Sequence, residues 1–419
     1  MIVEIISVGT ELLLGQIVNT NAAYLARRLP EAGATLYHQV TVGDNPDRLK
    51  EALLVALSRS DVVITSGGLG PTQDDLTKDV AADALGLPME LNPAAEQHLR
   101  EYFESRHRSM AANNMRQAYF AKGAVLFPNP NGTAQGCVVE QNGKAVIHLP
   151  GPPREFVPMV ENSVLPYLTA RLGGVICSRY LRLFGLGESD AETRVADMMD
   201  SANPTLAPYC SLGEMQFRLS ARAETVEEAE ALLDPLEASV RERVGEFIYA
   251  ETDIPDDTMA RIAARRLIKS GRRIALAESL TGGLLAASLV AQHGISSVLE
   301  EACVTYANSS KARRLGVSEE SLKTYGAVSE QVAKEMAEGI RETAGVDIGI
   351  ATTGIAGPDG ATPIKPVGLV YVALSTQDHT EVKRLELKGH RDDIRQLACL
   401  HATSMLINEL ANEQDKRSD

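Results

Sequence analysis

Hydrophobic and polar positions change their period along this chain, and each change marks a change of architecture. The opening apolar run, Ile2–Val8, reads as a strand buried on both faces, and it stops at Gly9-Thr10-Glu11. A helix follows over 22–31, with Tyr24, Leu25 and Leu29 at helical spacing and Gly33 as its stop. Thr35–Val42 is a second strand. Asn45 and Pro46 then cap and open a helix with Leu49, Leu53, Ala56 and Leu57 on one face. Residues 61–65 form a third strand that again runs into glycines. This β-α-β-α-β order predicts a mainly parallel sheet with helices on both faces. A longer helical section is expected over 93–120, then two strands joined at Asn142-Gly143, a hairpin signal.

The pattern between about 170 and 250 is different. A short strand at 181–183, a helix at 188–199, a strand at 216–221 and a charged amphipathic helix, Val226–Val244, describe a small α+β module. Pro255-Asp256-Asp257 reads as a linker, and from Thr258 the α/β rhythm returns. Strands are expected before Ser279 and at 300–305, 347–352, 368–374 and 382–387, with helices at Leu284–Val290, 332–343 and 394–410. The fold class is therefore α/β. Two three-layer α/β domains, 1–168 and 253–412, are joined by an α+β module, 169–252, and 413–419 form a disordered tail.

Composition narrows the picture only slightly. Apolar residues make up 44% and charged residues 23% of 419, which suits a globular protein with sizeable cores. No apolar run approaches the ~18 residues of a membrane span, and the first residues lack a basic leader, so a cytoplasmic protein without membrane partners is expected. Five cysteines (137, 177, 210, 303 and 399), odd in number and without CxxC pairing, read as reduced thiols. A net charge of −15 argues against a general grip on nucleic acid. The basic run Arg261, Arg265, Arg266, Lys269, Arg272, Arg273 reads as a solvated helix face.

The candidate chemistry sits at strand ends. In the N-terminal half three glycine corners, Gly9-Thr10-Glu11, Ser66-Gly67-Gly68-Leu69-Gly70-Pro71-Thr72 and Asn131-Gly132-Thr133-Ala134, lie where an open parallel sheet binds ligands. The second runs into Asp74-Asp75, two carboxylates that would need a hard cation between them and a phosphate. A diphosphate with a bound metal fits, and so does a merely capped helix start. In the C-terminal third, Ser279 stands at a strand-to-helix corner followed by Gly282 and Gly283. A serine nucleophile needs a base, yet position 282 is not the lysine of an SxxK motif and no GxSxG elbow exists. Tyr306 and Lys311 fall at another strand's carboxyl edge, and a buried lysine can accept a proton directly or through tyrosine. A helix cap with a surface lysine explains the same residues. A further corner, Thr352-Thr353-Gly354-Ile355-Ala356-Gly357, offers amides to an oxyanion or a phosphate.

These motifs carry a family resemblance across essentially the whole chain. Val8-Gly9-Thr10-Glu11-Leu12-Leu13-Leu14-Gly15-Gln16, Thr41-Val42-Gly43-Asp44-Asn45, Gly67-Gly68-Leu69-Gly70-Pro71-Thr72 with Asp74-Asp75, and Leu149-Pro150-Gly151-Pro152-Pro153 resemble the CinA (competence/damage-inducible protein A) family. Ser66 and Gln135 depart from its usual Thr and Pro. The resemblance implies a MoaB/MogA-like N-terminal fold with metal-dependent ADP-ribose pyrophosphatase activity, yielding AMP and ribose 5-phosphate. It places ADP-ribose against Gly9, Thr10, Glu11, Asn21, Gly67, Gly68, Gly70, Thr72, Gly132 and Thr133, and Mg²⁺ or a transition metal near Asp74 and Asp75. A non-catalytic nucleotide- or pterin-binding module is the other reading. The middle module resembles a KH fold, but Gly185-Leu186-Gly187-Glu188 lacks the GxxG spacing and makes it a spacer.

The C-terminal third is similar to the PncC-type nicotinamide mononucleotide (NMN) amidohydrolases. Their AES-x-TGG serine and Y-x-N-x-x-K tyrosine and lysine match Ser279, Tyr306 and Lys311, while Leu280 and Ala361 depart from a common Cys and Gly. That likeness implies metal-free deamidation of NMN by a Ser-Tyr-Lys set, with the amides at Ser279, Gly282 and Gly283 as the oxyanion hole. Thr281, Gly282, Gly283, Asn308, Thr353, Gly354, Ala356, Gly357 and Arg391 would contact the substrate. The resemblance further implies a homodimer. The competing class is an interaction factor in competence or DNA repair.

Overall fold

The computed structural model describes residues 1–255 and 257–416, so Asp256 of the expected linker and residues 417–419 of the expected tail lie outside the described residues. The chain has two compact units, Met1–Cys177 with Ser220–Leu232, and Ser178–Leu219 with the chain from Leu233 onward.

The first unit carries eight strands: β1 (Ile2–Val8), β2 (Thr35–Val42), β3 (Val62–Ser66), β4 (Met89–Leu91), β5 (Tyr119–Ala121), β6 (Val125–Phe127), β7 (Gly136–Gln141) and β8 (Lys144–Leu149). Six of them form one sheet in the order β2-β1-β3-β8-β7-β6. The strands from β2 to β8 are parallel, and β7 and β6 return antiparallel. Successive side chains of β1 go to opposite faces. Val3 and Ile5 pack with Leu25, Phe156 and Val160, while Ile6 and Val8 pack with Leu49, Leu53 and Val80. Burying each such side chain contributes about 1.5–3 kcal/mol, so the two-faced apolar run is what commits the strand to a three-layer interior. Register pairs Ser7 with Ser66 and Ser66 with Leu149, which sets the corners after β1, β3 and β8 side by side.

One sequence expectation changes here and another holds. The helix expected over 93–120 is α-helical only over Pro93–Glu104, capped by Asn92, followed by a 3₁₀ segment, Ala112–Ala118, and strand β5. The polar stretch Ser105-Arg106-His107-Arg108 has no apolar face to bury, and His107 turns left-handed at φ 52°, ending the helix. The hairpin at Asn142-Gly143 forms as expected, both residues taking the positive φ that a two-residue turn requires.

The small module is a four-stranded sheet in the order β10-β11-β9-β12, built from β9 (Val175–Phe184), β10 (Thr205–Ser211), β11 (Glu214–Ala223) and β12 (Ile248–Thr252). The pattern located β9 and β11 but not β10 and β12. Those two are the edge strands, and β10 contains Pro208, which an edge tolerates and an interior strand does not.

The rest of the second unit is a five-stranded sheet in the order β14-β13-β15-β16-β17: β13 (Ile274–Glu278), β14 (Leu299–Val304), β15 (Ile348–Gly354), β16 (Leu369–Ser375) and β17 (Thr380–Glu386). β14, β13 and β15 are parallel, and β16 and β17 are antiparallel. One face, with Ile274, Leu276, Ile350 and Val372, is covered by Met259–Ser270, Leu284–Val290 and the last helix. The other, with Ala275, Ala277, Ala351 and Ala373, is covered by Glu330–Ala344. The small residues on that second face let the helix approach closely. A Cβ on Gly349 would lie 2.2 Å from the Ala337 carbonyl oxygen and 2.7 Å from Arg341 Cβ. The last helix runs Arg391–Lys416, so residues 413–416 of the expected tail are helical. No helix among the described residues is long and apolar enough to cross a membrane.

The backbone contact at Gly349 leaves no room for a methyl group. Gly349→Ala should lower stability by about 1–3 kcal/mol through overpacking, read as a reduced urea midpoint at unchanged slope. An unchanged midpoint would mean that helix and strand do not pack this closely.

Candidate functional site

The C-terminal site grows out of the carboxyl edge of β14, β13 and β15. Register pairs Glu278 with Val304 and with Thr352, so Ser279, Thr305 and Thr353 emerge together. Glu278 fixes the corner. It is 1% exposed, and its carboxylate accepts from the amides of Gly283 (2.8 Å), Leu285 (3.2 Å) and Ala286 (2.8 Å), capping helix Leu284–Val290. Gly282 and Gly283 have φ of 63° and 94°, which lets the chain turn between the strand and that helix. Ser279, itself 9% exposed, is held by its amide to the Thr352 carbonyl at 3.0 Å.

Lys311 completes the centre. It lies in the first turn of helix Asn308–Leu315 and is 1% exposed, with its Nζ 3.0 Å from Ser279 Oγ. The amine also donates to the strand-end carbonyls of Thr305 (2.7 Å) and Tyr306 (3.2 Å). No carboxylate faces it in these contacts, and burial pushes its pKa down to about 8. In the neutral amine the two carbonyls take the two N–H groups, so the lone pair is left for the serine hydroxyl. This is the geometry of a base on its nucleophile.

The remaining expected residues divide. Tyr306 joins the pair through its backbone only: its ring is exposed, and its hydroxyl accepts from Arg391 Nη2 at 3.3 Å, away from Ser279 and Lys311. Arg391 also donates to the Gly357 carbonyl, which ties that corner to the tyrosine. Thr281 is fully buried, its hydroxyl 2.7 Å from that of Thr352. Thr353 donates to the Ala327 carbonyl at 2.8 Å, Gly354 packs on β16, Ala356 lies in the apolar core, and Asn308 is exposed. The expected oxyanion amides are already engaged: Ser279 with Thr352, Gly282 with the Ser279 carbonyl, Gly283 with Glu278. The neighbouring amides of Leu280 and Thr281 donate to no group among the described residues and are the donors that remain. Sequence reasoning missed Glu278 as the organiser of this corner, although a buried acid directly before a Ser-Leu-Thr-Gly-Gly turn was a visible signal.

The N-terminal cleft encloses about 560 Å³ and is lined by all three glycine corners together with the Pro150-Gly151-Pro152-Pro153 turn. Gly67 sits at φ 106°, where a Cβ would lie 2.2 Å from the Val8 carbonyl, and a Cβ on Gly68 would lie 2.1 Å from Thr77 Oγ1. The amides expected to hold phosphate are partly spoken for. Gly9 donates to Val42, Thr10 to Asp44 Oδ2 at 2.9 Å, Gly67 to Leu149 and Thr72 to Asp75 Oδ2. Those of Gly68, Leu69 and Gly70 donate to no group among the described residues. Gln117 steadies the turn by donating to the Leu69 carbonyl at 3.2 Å.

Charge decides what this cleft can take. Its lining holds five carboxylates, Glu11, Asp44, Asp74, Asp75 and Glu155, and no lysine or arginine. Thr72 Oγ1 donates to both Asp74 and Asp75, and that hydroxyl, with a backbone amide, holds the Asp74 carboxyl below its usual range. Among the described residues no group of three or more His, Cys, Asp or Glu is arranged to hold a metal ion. Two adjacent hard-oxygen donors fit a divalent cation whose other ligands are water and phosphate, as Mg²⁺ sites commonly are. Asn21, 9% exposed, donates to Ser66 Oγ and the Gly151 carbonyl, bracing two corners. Thr133 lines the cleft, while Gly132 packs directly on the Glu155 carboxylate. Asp44 and Glu155 were missed as cleft residues, because only the three-dimensional closure of the corners brings them in.

The expected solvated face of basic residues is in fact largely paired. Arg265 binds Asp257, Arg266 donates to the Tyr249 carbonyl, Arg272 binds Glu409 at 3.0 Å, and Arg273 binds Glu300.

Three family models cover almost all of the chain: a probable molybdopterin binding domain over 4–170, the damage-inducible protein CinA KH domain over 178–250, and the CinA C-terminal domain over 256–410. A CinA-like protein of Kosmotoga olearia is 47% identical over 408 residues, 97% of this chain and 98% of the relative. A CinA-like protein of Dictyoglomus thermophilum is 46% identical over 410 residues, 98% and 99% of the two chains. A solved competence-damaged protein (CinA) superfamily protein from Klebsiella pneumoniae is 36% identical, covering 37% of this chain and 96% of its own, with a TM-score of 0.36.

The Ser279–Lys311 pair makes a pH prediction. Lys311 acts as a base only when neutral, so modification of Ser279 by a fluorophosphonate should accelerate as pH rises through about 8. Lys311→Met should slow it by about 10²–10⁴-fold. The unfolded lysine keeps its proton to higher pH, so the cost of burying the charge is full below about 8 and fades toward the unfolded value. A flat labelling profile between pH 6 and 9 would remove Lys311 as the base.

Proposed function

We propose that this chain, which belongs to the CinA family, is a two-site protein of pyridine-nucleotide salvage: a C-terminal serine amidohydrolase acting on NMN, and an N-terminal cleft for a metal-paired phosphorylated ligand. The observation that carries the first half is the 3.0 Å approach of a buried, carboxylate-free Lys311 to Ser279.

Ser279 Oγ attacks the carboxamide carbon as its proton passes to Lys311 Nζ. The Leu280 and Thr281 amides receive the developing oxyanion. Collapse breaks the C–N bond, and the Lys311 ammonium returns the proton to the leaving nitrogen, which departs as ammonia. Water then attacks the acyl-serine and gives its proton to Lys311. The products are nicotinate mononucleotide and free Ser279, reprotonated from Lys311. Tyr306 supports this sequence through its carbonyl on Lys311, while its hydroxyl pairs with Arg391. No step calls on a metal.

For the N-terminal cleft the charge of the lining is the guide. Five carboxylates and no cationic side chain oppose a bare diphosphate, so a ligand bound on the Gly68, Leu69 and Gly70 amides arrives with a cation that Asp74 and Asp75 would hold. A bound cation would neutralise phosphate charge and acidify a water molecule. Hydrolysis of ADP-ribose to AMP and ribose 5-phosphate is the catalytic form of this reading. Its non-catalytic form is a nucleotide- or pterin-binding module. Direct nucleic-acid binding has less support, because the basic run is largely consumed in pairing within its own unit.

Ammonia release from NMN should occur with chelator present, fall at least 10³-fold in Ser279→Ala and Lys311→Met, and fall less than about tenfold in Tyr306→Phe. Full activity in Ser279→Ala would sink the nucleophile assignment, and a 10³-fold loss in Tyr306→Phe would restore a phenol relay. ADP-ribose with Mg²⁺ should yield AMP if the cleft is catalytic, and Asp74→Asn with Asp75→Asn should abolish that while sparing deamidation. Metal-dependent binding without AMP would select the binding module.

A further inference from the structure

The proposed reaction uses the carbonyl of Thr305 and leaves its hydroxyl idle. This residue follows β14 directly and is 2% exposed. Its amide donates to the Glu278 carbonyl at 2.8 Å, and its own carbonyl accepts from Lys311 Nζ at 2.7 Å, so its backbone is held on both sides. Its Oγ1 is fully enclosed, yet among the described residues it has no hydrogen-bond partner. Leaving a buried hydroxyl unmet is costly, and most find a carbonyl or a side chain. Alternation along the sheet places this one. Ala277, Cys303 and Ala351 pack on the face covered by Glu330–Ala344. Two residues further on, Thr305, Ser279 and Thr353 stand in a row on that face, with Ser279 in the middle. Lys311 reaches the row from helix Asn308–Leu315, whose Leu315 packs on the same face. The Thr353 hydroxyl is spent on the Ala327 carbonyl at 2.8 Å. The Thr305 hydroxyl is not spent.

Acylation changes what Lys311 faces. Before it, the neutral amine gives its two N–H groups to the Thr305 and Tyr306 carbonyls, and its lone pair accepts from Ser279. In the acyl-enzyme Ser279 Oγ is an ester oxygen with no proton to give, so the lone pair stands open. The water that attacks the ester has to deliver its proton there. A water enclosed by protein needs at least two polar partners, and Thr305 Oγ1, on the residue whose carbonyl already grips the amine, offers one that nothing else claims. We infer that Thr305 Oγ1 holds the deacylating water, accepting one of its O–H groups while the other is turned to Lys311 Nζ. This rests on the reading of Ser279 as a nucleophile that becomes acylated. The water oxygen forms the new bond to the acyl carbon and the bond from that carbon to Ser279 Oγ breaks. The proton taken up by Lys311 passes to Ser279, and the acid product keeps the water's second proton until it ionises.

Hydrolysis of p-nitrophenyl acetate by the full chain tests this, because an activated ester separates acylation from deacylation. Wild type should release about one p-nitrophenol per chain in a burst, then turn over at a steady rate set by deacylation. Thr305→Val, which keeps the branched shape and removes the hydroxyl, should leave the burst rate unchanged and slow the steady rate about 10–100-fold. Its kcat and KM should fall together, so that kcat/KM holds. Thr305→Ser should bring the steady rate back to within about threefold of wild type. A burst slowed along with the steady rate in Thr305→Val would make Thr305 a structural support of the Ser279–Lys311 pair and overturn the inference, as would an unchanged steady rate. If intact mass shows Ser279 acylated in neither protein, the nucleophile reading fails and the inference falls with it. No arm uses NMN, so a failure of that substrate leaves the outcome decided.

Discussion

The C-terminal site depends on burying a lysine with no carboxylate to meet it. Strand ends in a parallel sheet leave backbone carbonyls without partners, and β14 solves this by placing Lys311 over the Thr305 and Tyr306 oxygens. A paired lysine would stay protonated at all working pH values. One held by neutral carbonyls loses charge by burial alone, and the acidity it reaches, about 8, follows from that environment. The candidate nucleophile, its candidate base and the sheet edge are therefore one solution to one problem of unsatisfied backbone.

The N-terminal cleft reaches the opposite electrostatic arrangement with the same architecture. Its glycine corners free three amides, but the surrounding side chains are all acidic where charged. Thr72 bridging Asp74 and Asp75, and Thr10 holding Asp44, show how much of such a lining is kept in order by neutral groups: hydroxyls and amides take the lone pairs. On the proposed reading, selectivity in this cleft would lie in the pairing of anion with cation, and in the other in the state of a single amine.

Much of this was legible in the sequence, and the failures have physical causes. Two-sided apolar runs such as Ile2–Val8 and Ile274-Ala275-Leu276-Ala277 announced central parallel strands, and Asn142-Gly143 announced its turn, because these signals are local. β10 and β12 were invisible because edge strands need little apolar patterning. Ser279 and Lys311 were legible as candidates, and the family motif sharpened them, but their contact spans 32 residues and only the register of β13 on β14 creates it. Tyr306 was read as a phenol, whereas its carbonyl makes the contact. No side-chain pattern encodes which backbone oxygen a neighbour will use. Glu155 escaped notice because the Asn129 and Gly132 that pin it come from another corner.

Glu278 carries a further consequence. Its carboxylate holds three amides of the helix N-terminus, and the next residue in the chain is the candidate nucleophile. Cap and candidate nucleophile are thus covalent neighbours, so fraying of the first turn of Leu284–Val290 would loosen one of the holds on the Ser279 corner. On the proposed reading, chemical competence in this domain would then report local folding at that corner, to be lost by partial opening while the rest of the sheet stays intact.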